Sequence, residues 1–220
     1  MNKILICGYR DWSYNVFKKI EYLCDGQKEI IYVDDKDLLE QIIGETKPEI
    51  IFFVGWSWII KENIIDKYKC ICLHPSPLPK YRGGSPTQHQ IINGEKESAV
   101  TLFEMDEGID TGDILFQKSF SLDGELNDIL KKITDVGIEG IMTIIDGNYE
   151  VIKQDNKKAT FYKRRKPEMS EINIEDFKNY SARDLYNKIR ALQHPYPNAF
   201  ITCKDNTKLY LINSKIGDDE

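Results

Sequence analysis

The stretch Cys72–Asp113, CLHPSPLPKYRGGSPTQHQIINGEKESAVTLFEMDEGIDTGD, decides the reading of this chain. It begins with a histidine, His74, placed straight after an apolar run, and Pro75, Pro77 and Pro79 then forbid the strand from continuing. The imidazole is therefore expected at the carboxyl end of a strand. In an open α/β sheet that end forms the rim where loops are free of ladder hydrogen bonds and ligands bind. The same stretch carries a loop ending in Arg82-Gly83-Gly84 and an acidic turn, Asp110-Thr111-Gly112-Asp113.

Outward from it, the pattern is that of a sheet buried on both faces. Upstream lie Lys3–Cys7, Glu29–Val33 and Glu49–Val54, short apolar runs that read as strands, with Cys70–Leu73 as a fourth. Helical segments separate them at Ser13–Leu23, about Lys36–Ile43 and around Glu62–Tyr68. Near-continuous apolar strands alternating with helices predict a parallel sheet. Downstream, Thr87–Asn93 reads as a helix closed by Gly94, and Ser98–Glu104 and Ile114–Phe120 as strands on either side of the acidic turn. Glu125–Ile145 carries a helical apolar stripe, mildly interrupted by Gly137 and Gly140.

The fold expected is thus α/β: a Rossmann-like, doubly wound, mostly parallel sheet over residues 1–150, with a small C-terminal α/β appendage over residues 151–220. In the appendage, residues 148–158 read as a linker, Lys163-Arg164-Arg165-Lys166 as a solvated basic run, and Ser181–Leu192 as a helix with Ser181 as its cap, followed by two short strands packed on the main body. CGYRDWS after the first strand lacks the G-x-G-x-x-G fingerprint, so no dinucleotide site is expected.

Composition narrows the function. The 220 residues are 41% hydrophobic and carry a net charge of -6, which argues against a nucleic-acid binder and for a small substrate. Five cysteines form no C-x-x-C pair, so neither a disulfide framework nor a metal site is expected, and a reducing, cytoplasmic compartment is. The apolar start is about five residues long, short of the roughly 7–15 of a signal-peptide core. No run approaches the roughly 18 apolar residues of a membrane span, so no membrane partner is expected.

HPSPLPKYRGGSP, then ING, then AVTLFEMDEGIDTGDI, resembles the signature of the folate-dependent formyltransferases. TFYKRRKPEMSEI and YNKIRALQHPYPNAF resemble the later segments of the methionyl-tRNA and amino-sugar members. The resemblance, spanning roughly residues 50–203, implies transfer of a formyl group from formyl-tetrahydrofolate. It places the amine of a nucleotide-linked amino sugar first as acceptor; methionyl-tRNA, glycinamide ribonucleotide, or a catalytically impaired folate- or nucleotide-binding domain are the alternatives. It leaves a homodimer open.

The resemblance implies that the family's catalytic Asn-x-His and later Asp fall on Cys72, His74 and Asp110, which are the catalytic residues expected, and this chain departs from the pattern at Cys72. As the resemblance implies, Trp56, Ser57, Trp58 and Ile59, together with Asp106, Gly108 and Ile109, are expected to contact the folate. On the acceptor side, Tyr9 and Arg10 follow the first strand onto the same rim, and Arg82, Gly83 and Gly84 suit a phosphate or sugar. Ser76 and Lys80 are placed with them. Cys72 and Cys70 share one strand face, where thiols usually just pack.

Overall fold

Residues 2–217 are described by the computed structural model of the chain. The apolar runs become strands and the mixed runs become the helices that cover them. In chain order these are β1 (Lys3–Cys7), α1 (Asp11–Cys24), β2 (Glu29–Val33), α2 (Leu39–Thr46), β3 (Ile50–Val54), α3 (Glu62–Ile65) and β4 (Lys69–His74). The acidic turn and its flanks supply β5 (Arg82–Gly83), α4 (Pro86–Ile92), β6 (Glu97–Glu104), β7 (Ile114–Ser121) and α5 (Leu126–Ile145). The tail adds β8 (Phe161–Tyr162), α6 (Asp176–Asn179), α7 (Ala182–Ala191), β9 (Ala199–Thr202) and β10 (Lys208–Leu211).

Six strands form the central sheet in the order β2-β1-β3-β4-β6-β7. The first four run parallel, β6 pairs antiparallel with β4, and β7 pairs antiparallel with β6. Alternate residues of each strand face opposite layers. Ile4, Ile6, Phe52, Val54, Ile71 and Leu73 pack under α1 and α5. Leu5, Cys7, Ile51, Phe53 and Cys70 pack against α2 and α3. The result is the doubly wound α/β architecture.

Three readings shift. The helix expected from about Lys36 starts at Leu39, because the Asp37 amide donates to Asp35 Oδ1 at 2.8 Å and holds that segment as a turn. A short helix, α6, lies where polar Asn173–Asn179 gave no apolar period. Residues 148–158 are not a free linker: Ile152 and Ile114 exchange backbone hydrogen bonds at 2.8 Å, and β8 pairs in parallel with β5. The tail is tied down further by buried Arg190, whose Nη1 donates to the carbonyls of Leu122 and Gly124 at 2.7 and 2.8 Å. No helix among the described residues is long and apolar enough to cross a membrane.

Gly140 is an instance in which packing overrides propensity. Alanine would gain about 1 kcal/mol of helix propensity there. A Cβ at Gly140 would lie 2.4 Å from Leu102 Cδ1 and 2.6 Å from Phe116 Cδ1, and Leu102 is fully buried. Overpacking of this kind costs about 1–3 kcal/mol. Gly140→Ala is therefore expected to lower the thermal midpoint, and an unchanged or raised midpoint would show that the α5–sheet contact is looser than described.

Candidate active site

The sheet order reverses beside β1, with β2 on one side and β3 on the other, and the crevice at such a switch point is where α/β sheets bind ligands. The carboxyl ends of β1, β3 and β4 deliver Tyr9 and Arg10, Gly55 to Ser57, and Cys72 to Pro75 to one cleft of about 280 Å³. Gly83, Gly84, Ser85 and Asp110 close it from the loops. The cleft thus gathers the rim that the Pro-rich loop marks.

At its floor sits His74, only 6% exposed. Nε2 lies 2.8 Å from the carbonyl oxygen of Tyr81. A carbonyl only accepts, so Nε2 carries the proton and Nδ1 of the neutral ring is left with its lone pair. Nδ1 lies 3.6 Å from Asp110 Oδ2, beyond a direct hydrogen bond but close enough to stabilise an imidazolium. The ring is thus held in the tautomer of a base whose conjugate acid has a carboxylate beside it.

Asp110 is fixed by its own backbone and by Gly83. It occupies the left-handed region at φ 55°, which Asp tolerates better than most residues. Oδ2 accepts from the Gly83 amide at 2.7 Å. That approach needs glycine: Gly83 has φ 94°, and a Cβ there would lie 2.3 Å from the Tyr162 carbonyl oxygen.

Cys72 lines the cleft two residues before His74. Burial, and then the Asp110 carboxylate, push its thiol well above the usual cysteine range. Since the thiolate is the nucleophile, this is an inert thiol near neutral pH. Iodoacetamide at pH 8 should modify the exposed Cys203 first and leave Cys72 unlabelled. Peptide mass spectrometry reads the outcome; Cys72 labelling as fast as Cys203 would contradict the half-buried, protonated state.

The other expected site residues divide. Trp56 and Ser57 line the cleft, and Ser57 Oγ is 2.5 Å from Tyr9 Oη. Trp58 stands behind them, its ring 4.8 Å from Tyr9 and 4.9 Å from Trp56. Ile59 is 95% exposed and outside the cleft. Asp106 and Gly108 border a separate shallow depression with Ile65 and Asp66, and Ile109 is exposed beside them. Asp106 Oδ1 accepts from the Gly108 amide at 3.1 Å and from Thr111 Oγ1 at 2.6 Å, so its carboxylate braces the acidic turn.

On the acceptor side Tyr9, Arg10, Gly83 and Gly84 line the cleft as expected. Arg82 does not. It is 7% exposed and its guanidinium is spent on Gln154 Oε1, at 2.6 and 3.1 Å, and Asn156 Oδ1, at 2.8 Å. Ser76 is fully buried with its hydroxyl donating to the Lys80 carbonyl at 2.8 Å, and Lys80 itself is exposed away from the cleft. These three hold the Pro-rich loop in shape; their sequence position put them near the site, but their side chains point elsewhere.

Sequence reasoning missed the opposite wall. Arg164, Arg165 and Lys166, read as a solvated run, line the cleft because the β5–β8 pairing carries them there. Among the described residues, Arg10 and these three make four cationic side chains against one lining carboxylate, Asp110, in a chain of net charge -6. Burial lowers the Arg165 pKa; its Nη2 donates to the Met169 carbonyl, and its buried Nε has no hydrogen-bond partner among the described residues. The available signal was the aromatic pair Phe161-Tyr162 immediately before the run, which as β8 delivers its carboxyl end to the rim.

Residues 33–145 match the formyl transferase family and residues 165–220 match the formyl transferase C-terminal domain. The methionyl-tRNA formyltransferase of Clostridium beijerinckii is 38% identical over 187 residues, covering 80% of this chain and 58% of its own length. This chain therefore spans somewhat over half the length of that curated relative. The structure of a methionyl-tRNA formyltransferase from Clostridium thermocellum superposes with a TM-score of 0.84 at 28% identity, over 99% of this chain and 100% of that one. A sugar N-formyltransferase from Shewanella sp. FDAARGOS_354 superposes with a TM-score of 0.72 at 20% identity, over 99% and 100%, a likeness of fold alone.

Proposed function

The chain belongs to the formyl transferase family, and on that premise we propose that its cleft moves a formyl group from formyl-tetrahydrofolate to a primary amine on an anionic acceptor. The observation that carries this is the His74–Asp110 pair at the cleft floor, with Nε2 tied to the Tyr81 carbonyl and Nδ1 facing the carboxylate. The donor supplies a formyl carbon bonded to a nitrogen leaving group. His74 Nδ1 takes the proton released as the amine nitrogen bonds to that carbon, and returns it to the folate nitrogen as its bond to carbon breaks. Asp110 stabilises the imidazolium between the two steps, and proton count and charge balance.

The cleft fits such a donor. Trp12 and Trp56 present aromatic surface suited to a flat heterocycle, and each keeps a buried indole N–H without a partner among the described residues, donors that a ring carrying acceptor atoms would satisfy. The four cationic side chains, and desolvated Arg165 above all, suit a phosphate on the acceptor.

Between acceptors, the names of the sequence relatives favour methionyl-tRNA over the nucleotide-linked amino sugar that the sequence reading put first. Charge supports the amino sugar: a polynucleotide needs cations along its length, whereas this chain is acidic and gathers four around one cleft. Incubation with formyl-tetrahydrofolate and each acceptor in turn, scored by formylation of the acceptor, separates them. Formylation of neither, with formyl-tetrahydrofolate left intact, would remove the proposal.

Where the family pattern has an amide, Cys72 offers a weaker hydrogen-bond donor to an oxyanion. Cys72→Asn should leave turnover equal or higher, and Cys72→Ala should do little harm. Were the thiol a formyl carrier, both variants would lose transfer and a formylated cysteine would appear by mass spectrometry when donor is mixed with enzyme alone.

A further inference from the structure

Beside the Gly83 amide and the Asp106 carboxylate, one side-chain amide ties the backbone of the acidic turn that carries Asp110 to a buried arginine. Gln154 Nε2 donates to the Asp110 carbonyl at 3.0 Å and to the Gly112 carbonyl at 2.7 Å. Its Oε1 accepts both Nε and Nη2 of buried Arg82. Arg82 has only donors and the two carbonyls only accept, so the side chain between them must present an acceptor to one side and donors to the other. Gln154 does both and spans the gap. It comes from the segment whose composition reads as a linker, and it does not line the cleft.

We propose that Gln154, backed by Arg82, is a positioning residue that sets the place of the Asp110 carboxylate against His74. The geometry is demanding. Asp110 sits in the left-handed region at φ 55°, Gly112 is packed so closely that a Cβ would lie 1.7 Å from the Glu104 carbonyl oxygen, and Oδ2 must meet the Gly83 amide while lying 3.6 Å from Nδ1. Holding the carbonyls of Asp110 and Gly112 adds the backbone restraint that the Gly83 and Asp106 contacts do not supply. The Arg82 guanidinium polarises the amide it bonds, which strengthens the two bonds Gln154 makes on its other side. Losing them frees the turn without removing any group that touches substrate, so turnover falls and substrate affinity does not.

This rests on the formyl transfer proposed above. The isosteric Gln154→Glu keeps an acceptor for Arg82 and turns an oxygen toward the two carbonyls; Gln154→Met removes both partnerships at similar size. The position is half-buried on a loop, and thermal melts establish that each variant is folded. Each is expected to lower kcat about 10-fold or more with the KM for formyl-tetrahydrofolate and for acceptor within about 2-fold. Made in an Asp110→Asn background, the same changes should cost less than about 2-fold, because a residue that works through the Asp110 carboxylate has nothing left to position. Equal fold losses in both backgrounds, or wild-type kcat in Gln154→Glu, would overturn the inference. Absence of transfer by the wild-type protein would instead strike the proposed function.

Discussion

His74→Asn is expected to lower turnover by about 100- to 10,000-fold, the range that a positioned acid–base group contributes, while formyl-tetrahydrofolate binds as before. Asparagine places its amide on the Nδ1 side and does not reach the Tyr81 carbonyl that His74 Nε2 now holds at 2.8 Å, so a thermal melt accompanies the kinetics to show that the variant is folded. What it cannot do is accept a proton in the chemical step. Binding titration and turnover measured on the same preparation separate the two effects. A variant that retains most of its turnover would take His74 out of the chemistry.

Asp110→Asn is the second large effect, and the backbone makes it a clean substitution. Asn is among the few residues that settle into the left-handed region where Asp110 lies, and its Oδ1 can still accept from the Gly83 amide. Only the charge facing Nδ1 is lost. The imidazolium is then without its nearby carboxylate, and removal of such an electrostatic partner costs about 100- to 1,000-fold in kcat. Asp110→Ala would confuse this with backbone strain and loss of the Gly83 contact. A KM effect without a kcat effect in Asp110→Asn would move Asp110 from the proton relay to the binding of a ligand.

Much of this was legible in the residues. KILIC, EIIYV and EIIFFV are apolar on both faces, and only a strand covered on both sides buries such a run. His74 was legible as a rim residue because three prolines come after it at alternate positions. What composition cannot show is where a side chain is spent. Arg82 sits beside two glycines at the rim, yet its charge is absorbed by Gln154 and Asn156. The Arg164–Lys166 run has the composition of a solvated face, yet a two-residue pairing, Arg82 with Phe161 and Gly83 with Tyr162, lays it along the cleft. Gln154 was invisible for the same reason: a polar residue in a polar loop has no periodicity, and its importance lies in two carbonyls more than 40 residues away.

The C-terminal segment is therefore part of the site. Its first half supplies the brace and the cationic wall. Its second half, through Arg190 and through Gln193, which bonds Glu125 Oε2 at 2.6 Å, ties the tail to the start of α5. A chain cut after residue 150 would keep His74 and Asp110 but lose the groups that hold the acidic turn and charge the cleft.

The decisive experiment mixes formyl-tetrahydrofolate with the wild-type protein and with His74→Asn, in the presence of methionyl-tRNA or of a nucleotide-linked amino sugar, and weighs the acceptor by mass spectrometry. One formyl group should be added to the amine of one acceptor by the wild type, with transfer reduced at least about 100-fold in the variant. Equal formylation by the two proteins, or none by the wild type with either acceptor, would contradict formyl transfer through His74.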